Sequence, residues 1–127
     1  VEYSLDPLWV WREMHISETD VQAFDDFLAP HHAAYQHLED VRAVWNPPEM
    51  EISVQRAPLG RSDYGEAPNP DAPENLVGGY KRVAEQMSSL RDVGVRNLML
   101  TNRGLVSQEK ANKSLRLLSE KIMPFLR

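Results

Sequence analysis

The chain opens on an alternation. Between Trp9 and Ile16 the residues Val10, Arg12, Met14 and Ile16 interleave with Trp9, Trp11, Glu13 and His15. A period of two predicts a strand, here with polar groups on both faces. The period then lengthens. Thr19 and Gln22 have the spacing of a capping box, and Val21, Phe24, Phe27 and Leu28 follow as the apolar stripe of a helix. Pro30, which lacks an N–H and crowds the preceding turn, is expected to kink or break that helix, or to serve as the first residue of a new one. Beyond it Ala33, Ala34, Tyr35, Leu38, Val41, Val44 and Trp45 continue the stripe.

Periodicity is lost from Asn46 to Pro73. Six of the nine prolines lie in this stretch, together with Gly60, Gly65 and Asn69. It reads as an irregular insertion, a lid or channel wall or a surface excursion without a role. Helical spacing resumes after Gly79, the expected N-cap, with Val83, Ala84, Met87 and Leu90 facing inward and Gly94 as a left-handed stop. The apolar Leu98-Met99-Leu100 run predicts a buried parallel strand. Ser107 then caps a last helix with Ala111, Leu115, Leu118 and Ile122 expected inside, ending near Pro124. Helix, strand and helix at this spacing argue for α/β organisation with parallel strands.

The order of elements over residues 76–127 is that of the closing unit of a β/α-barrel, an architecture that needs about 250 residues. At 127 residues, starting on Val rather than Met, the chain reads as one segment in three parts. Residues 1–45 hold a strand and helices, 46–79 the insertion, and 80–127 the closing unit. With two core strands, it is expected to leave sheet edges bare for the rest of the barrel or a second copy of the chain to cover.

Composition narrows the function classes. A net charge of -5, with both signs scattered, disfavours nucleic acid as a partner. The absence of cysteine removes disulfides, thiolate metal sites and a cysteine nucleophile, and fits a cytoplasmic setting. No apolar run has the length to span a bilayer. His31, His32 and His37 are the one metal-like cluster, but a spacing of five does not stack two ligands on a helical face, so no metal site is expected.

Three blocks of residues carry a family resemblance. LVGGYKRVAEQMSSLRDVGVRNLML is similar to a late-barrel segment of the bacterial luciferase-like, flavin-dependent monooxygenases. SLRLLSEKIMPFLR resembles that family's final helix, and WREMHISETDVQAF resembles an upstream strand and helix. The blocks occur in the family's order and cover about half of the chain. Gly79 and Tyr80 depart from the Ser/Thr-Pro usual at the helix start, and residues 46–73 match nothing firmly. The resemblance implies the C-terminal part of a (β/α)8 barrel, and an enzyme that uses reduced FMN and O2 on a small organic substrate. Relatives use a deazaflavin for hydride transfer.

Active residues of such barrels lie at the C-terminal ends of strands. That rule selects His15 at the end of the first strand, as a polar channel residue or a packed histidine. It selects Asn102 and Arg103 after the last strand, with the Arg103 guanidinium suited to phosphate or to a flavin edge. Gly78 and Gly79 offer free N–H groups to an anion or form a plain helix-entry turn. A second reading is a non-catalytic α/β module that works by association.

Overall fold

A computed structural model describes residues 7–45, 75–102 and 105–126. For residues 35, 36, 38, 39 and 42–45 only the backbone is described. The first strand, β1, is Trp9–Ser17, and the helix after it, α1, is Asp20–Trp45. A second strand β2, Asn75–Gly79, leads directly into α2, Tyr80–Asp92. Strand β3 is Asn97–Thr101. The chain ends in α3, Gln108–Leu117, a π-helical turn Leu118–Ile122, and the short α4, Met123–Leu126.

The three strands form one parallel sheet in the order β2-β1-β3. β1 is central but its neighbours are staggered. β2 pairs with its upper half, Glu13 with Asn75 through Ser17 with Gly79. β3 pairs with its lower half, Trp9 with Asn97 through Glu13 with Thr101. Consecutive strands of a barrel are neighbours in chain order, as β1 and β2 are here; β2 and β3, by contrast, are separated by β1.

Side chains of a strand alternate between faces, and the helices divide accordingly. Met14 and Ile16 of β1 and Leu76 of β2 form the main core with Val83 and Met87 of α2, Leu117 of α3 and Ile122. On the opposite face Val77 packs with Ala23 and Phe27 of α1. The sheet therefore has helices on both faces, the layering of an open α/β sheet.

Short parallel strands leave backbone groups that a wider sheet would pair. Side chains take over here. Along the outer edge of β2, Gln86 Nε2 donates to Asn75 O at 3.1 Å, Arg82 Nε to Val77 O at 3.2 Å, and Gly79 N–H to Asp20 Oδ1 at 2.7 Å. Above the end of β3 the free edge of β1 meets α3, and Ile16 N–H donates to Ser114 Oγ at 2.8 Å. Three backbone groups on the outer edge of β2 are thus met by the chain's own side chains.

Several expected boundaries shift. Residues 75–79, read as the end of the irregular insertion, are a buried strand; the rest of that insertion lies outside the described residues. α1 runs through Pro30 without ending. Its inner face is Ala23, Asp26, Phe27 and His31, while Val21 is 70% exposed. The Thr19 cap forms in part: Gln22 N–H donates to Thr19 Oγ1 at 3.2 Å, but the Gln22 side chain turns to Asp26. In α3 the buried positions are Ser114 and Leu117, and Leu115 is 56% exposed. The π-helical turn at Leu118–Ile122 inserts the extra residue per turn that returns Ile122 to the core. Gly79 does cap α2, Gly94 does adopt positive φ, at 100°, and Ser107 Oγ does accept from Lys110 N–H.

Ser114 is 3% exposed, so its hydroxyl is the one partner the Ile16 N–H can find at that edge. Ser114→Ala is expected to destabilise the protein by about 1–3 kcal/mol, the cost of an unmatched buried donor. Denaturant unfolding measures it, and Ser114→Thr, which keeps the oxygen, should recover most of the loss.

Candidate functional site

The face of the sheet under α1 is where polar groups are buried. β1 delivers Glu13, His15 and Ser17 to it, and α1 delivers Asp26 and His31. Two carboxylate–histidine pairs result. His31 Nε2 lies 3.0 Å from Glu13 Oε2, and its Nδ1–H donates to Phe27 O at 2.7 Å. The His31 ring also stacks on Phe27, with centroids 3.7 Å apart. A carbonyl only accepts, so the hydrogen on Nδ1 goes to Phe27 O. This pair is enclosed and fully engaged, which suits a structural role.

The second pair opens on a cleft. His15 Nε2 lies 3.2 Å from Asp26 Oδ2, and His15 is 1% exposed. Asp26 is a hub: its Oδ1 accepts from Gln22 Nε2 at 2.9 Å and from Lys110 Nζ at 2.8 Å. One carboxylate thus joins β1, α1 and α3. Burial opposes its charge, but hydrogen bonds from Lys110, His15 and Gln22 outweigh that cost and hold the carboxyl below its ordinary value of 3.8. For His15 burial is also the largest influence and prevails over the pull of Asp26, so its pKa falls below 6.5. The ring is neutral at pH 7. Facing an ionised carboxylate, its Nε2 carries the hydrogen and Nδ1 the lone pair.

The cleft has a volume of about 420 Å³ and is lined by His15–Thr19, Gln22, Asp26, Glu109, Lys110 and Lys113. It lies at the carboxyl end of β1, between the first turn of α1 and the first turns of α3. Among the described lining side chains Ile16 alone is aliphatic. An isoalloxazine ring wants apolar or aromatic walls, so these residues do not fit a flavin ring. Lys110 and Lys113 suit an anionic group by charge, yet Lys110 is held by Asp26 and Lys113 lies 3.5 Å from Glu18 Oε1.

Of the residues selected from the sequence, His15 is the one among the described residues that lines this cleft. Asn102 follows β3, whose end is level with Glu13, below the cleft. Its carbonyl accepts from Leu105 N–H at 3.2 Å. Arg103 lies outside the described residues. Gly78 and Gly79 end β2, and the anion they were expected to meet is the chain's own. Gly79 N–H is taken by Asp20, and a side chain at Gly78, where φ is 155°, would meet Arg82 Cδ at 2.5 Å and Asp20 Oδ1 at 3.0 Å. Among the described residues no group of three His, Asp or Glu side chains has metal-ligand geometry, and no helix is long and apolar enough to cross a membrane.

Asp26, Lys110, Glu13 and Ser114 were not singled out from the sequence. Asp26 sits one residue from Phe27 on the inner face, a polar residue in an apolar register. That was the one available signal. Lys110 is 84 residues from Asp26 along the chain, and nothing local links them. Comparison with protein-family models, with curated proteins and with solved structures returns no match to this chain.

The two shifted groups fix an acid profile. His15 binds its proton less readily folded than unfolded, so its contribution to stability is complete above 6.5 and is lost as pH falls through the window below it. Asp26 adds a second loss below 3.8. Denaturant midpoints recorded from neutral pH down to about pH 4 should fall with acid, and His15→Gln should flatten that fall. A variant profile parallel to the wild type would contradict the assignment.

Proposed function

We propose that the chain is the carboxyl-terminal part of a cytoplasmic, luciferase-like flavin-dependent monooxygenase, which uses reduced FMN and O2 on a small organic substrate. The observation that carries this reading is the position of the cleft. Ligand sites lie at the carboxyl ends of parallel strands in closed barrels and in open α/β sheets alike. The cleft is at that end of β1, and His15–Thr19 and Gln22 of its walls belong to the WREMHISETDVQAF block on which the resemblance rests.

Closure into a barrel is the finer part of the proposal. The β1–α1–β2 unit is what two consecutive barrel strands would make, and the pairing of β3 with β1 is not. The position of the cleft fits either architecture, because both place ligands at the same end.

A bound flavin would supply the oxygen chemistry. The described residues would shape its surroundings. Lys110 and Gln22 hold Asp26 in place, and Asp26 orients His15 so that Nδ1 is left as a proton acceptor toward substrate. The described residues of the cleft form no flavin ring site, so the ring is expected outside this cleft.

One specific observation favours a second reading, an α/β module that works by association. Trp9, Trp11 and Met99 are exposed, and Trp11 and Met99 are register partners on the same sheet face. Titration with FMN and with a deazaflavin, each oxidised and reduced, separates the two when flavin fluorescence and elution volume are followed together. Saturable binding of one flavin is the expected result. A cooperatively folded protein that binds neither and elutes as a defined oligomer would replace the monooxygenase reading with the second.

A further inference from the structure

His15 leaves one hydrogen-bonding atom unused. Its Nε2 is committed to Asp26, whereas Nδ1 is buried and has no hydrogen-bond partner among the described residues. An unmatched buried acceptor costs about 1–3 kcal/mol, and a ligand that donates to it recovers that cost. The residue lines the cleft at the carboxyl end of β1.

We propose that this cleft binds a small molecule without negative charge that bears a hydroxyl group, whose O–H donates to His15 Nδ1. The donor is required because the tautomer set by Asp26 leaves a lone pair on Nδ1. The hydroxyl oxygen would in turn find the Ser17 and Thr19 hydroxyls and the Gln22 amide in the same walls. Absence of negative charge follows from the balance of the described lining residues. Lys110 is paired with Asp26 and Lys113 with Glu18, which leaves Glu109 in excess and disfavours an anion. The outer wall consists of exposed side chains, Glu18, Thr19, Gln22 and Lys113 among them. These can turn aside to admit a ligand while the backbone stays in place. Burial, by lowering the His15 pKa, keeps the acceptor available at pH 7.

The inference concerns the ligand of this cleft and not the flavin, so either can fail without the other. Its test is the ¹⁵N resonance of His15 Nδ1 in the whole protein, titrated in separate series with n-propanol, acetone and acetate. Propanol donates a hydrogen bond, acetone only accepts, and acetate is charged. A saturable shift with propanol is expected, at roughly tenfold lower concentration than any response to acetone, which is the worth of one buried hydrogen bond. Acetate should leave the resonance in place. In Asp26→Asn the amide oxygen stays with Lys110 and the NH2 faces Nε2, which moves the hydrogen to Nδ1. Acetone should then shift the resonance. If the variant does not fold, the wild-type series decide alone. No saturable response to propanol, or equal responses to propanol and acetone, would overturn the proposal.

Discussion

β1 is the strand to which every other element refers. Its backbone pairs with β2 over its upper half and with β3 over its lower half. Its side chains leave alternately to the two faces. Met14 and Ile16 go into an apolar layer with α2 and the C-terminal helices. Glu13 and His15 go under α1, into a layer where charge is buried and must be matched. A shift of one residue in the pairing of β1 would exchange these two sets, placing carboxylate and imidazole in the apolar layer. The register of one strand therefore sets both the core and the cleft.

The stagger of β2 and β3 has a consequence at the carboxyl end. Because β3 stops level with Glu13, the upper half of β1 has no strand on that side, and α3 takes the vacant place. Ser114 satisfies the Ile16 N–H, and Lys110, one turn earlier, reaches Asp26. The opening that becomes the cleft is thus made by the shortness of a strand. Its chemistry comes from three elements meeting at one carboxylate. Asp26 holds the His15 tautomer, and Lys110 and Gln22 hold Asp26. A neutral, oriented imidazole at the end of a parallel strand is the feature that a proton acceptor needs.

Local patterns were legible in the sequence where local physics decides. The strand at Trp9, the Gly79 cap, the left-handed Gly94 and the Ser107 cap all depend on residues within a turn of one another. Long-range needs overrode local ones elsewhere. Ala111, Leu115, Leu118 and Ile122 make a reasonable apolar stripe, yet α3 turns Ser114 inward because an N–H 98 residues away requires an oxygen. Val21 fits an apolar stripe and is nevertheless exposed, because the inner face of α1 is spent on Asp26 and His31, which answer His15 and Glu13 on β1. Asn75–Gly79 looks like the tail of a proline-rich loop because half of what makes it a strand, the partners for its outer edge, is supplied by Asp20, Arg82 and Gln86. Of the candidate site His15 was visible and its three-part support was not, since that support is assembled by topology.

The central claim is that β1 lies between β2 and β3, with helices on both faces of the sheet. Cross-strand nuclear Overhauser effects test it most directly. The account predicts backbone contacts from β1 to both neighbours, with His15 opposite Val77 and Trp11 opposite Met99. Contacts between β2 and β3, with none from β1 to β3, would contradict it and restore the chain-order pairing of a barrel.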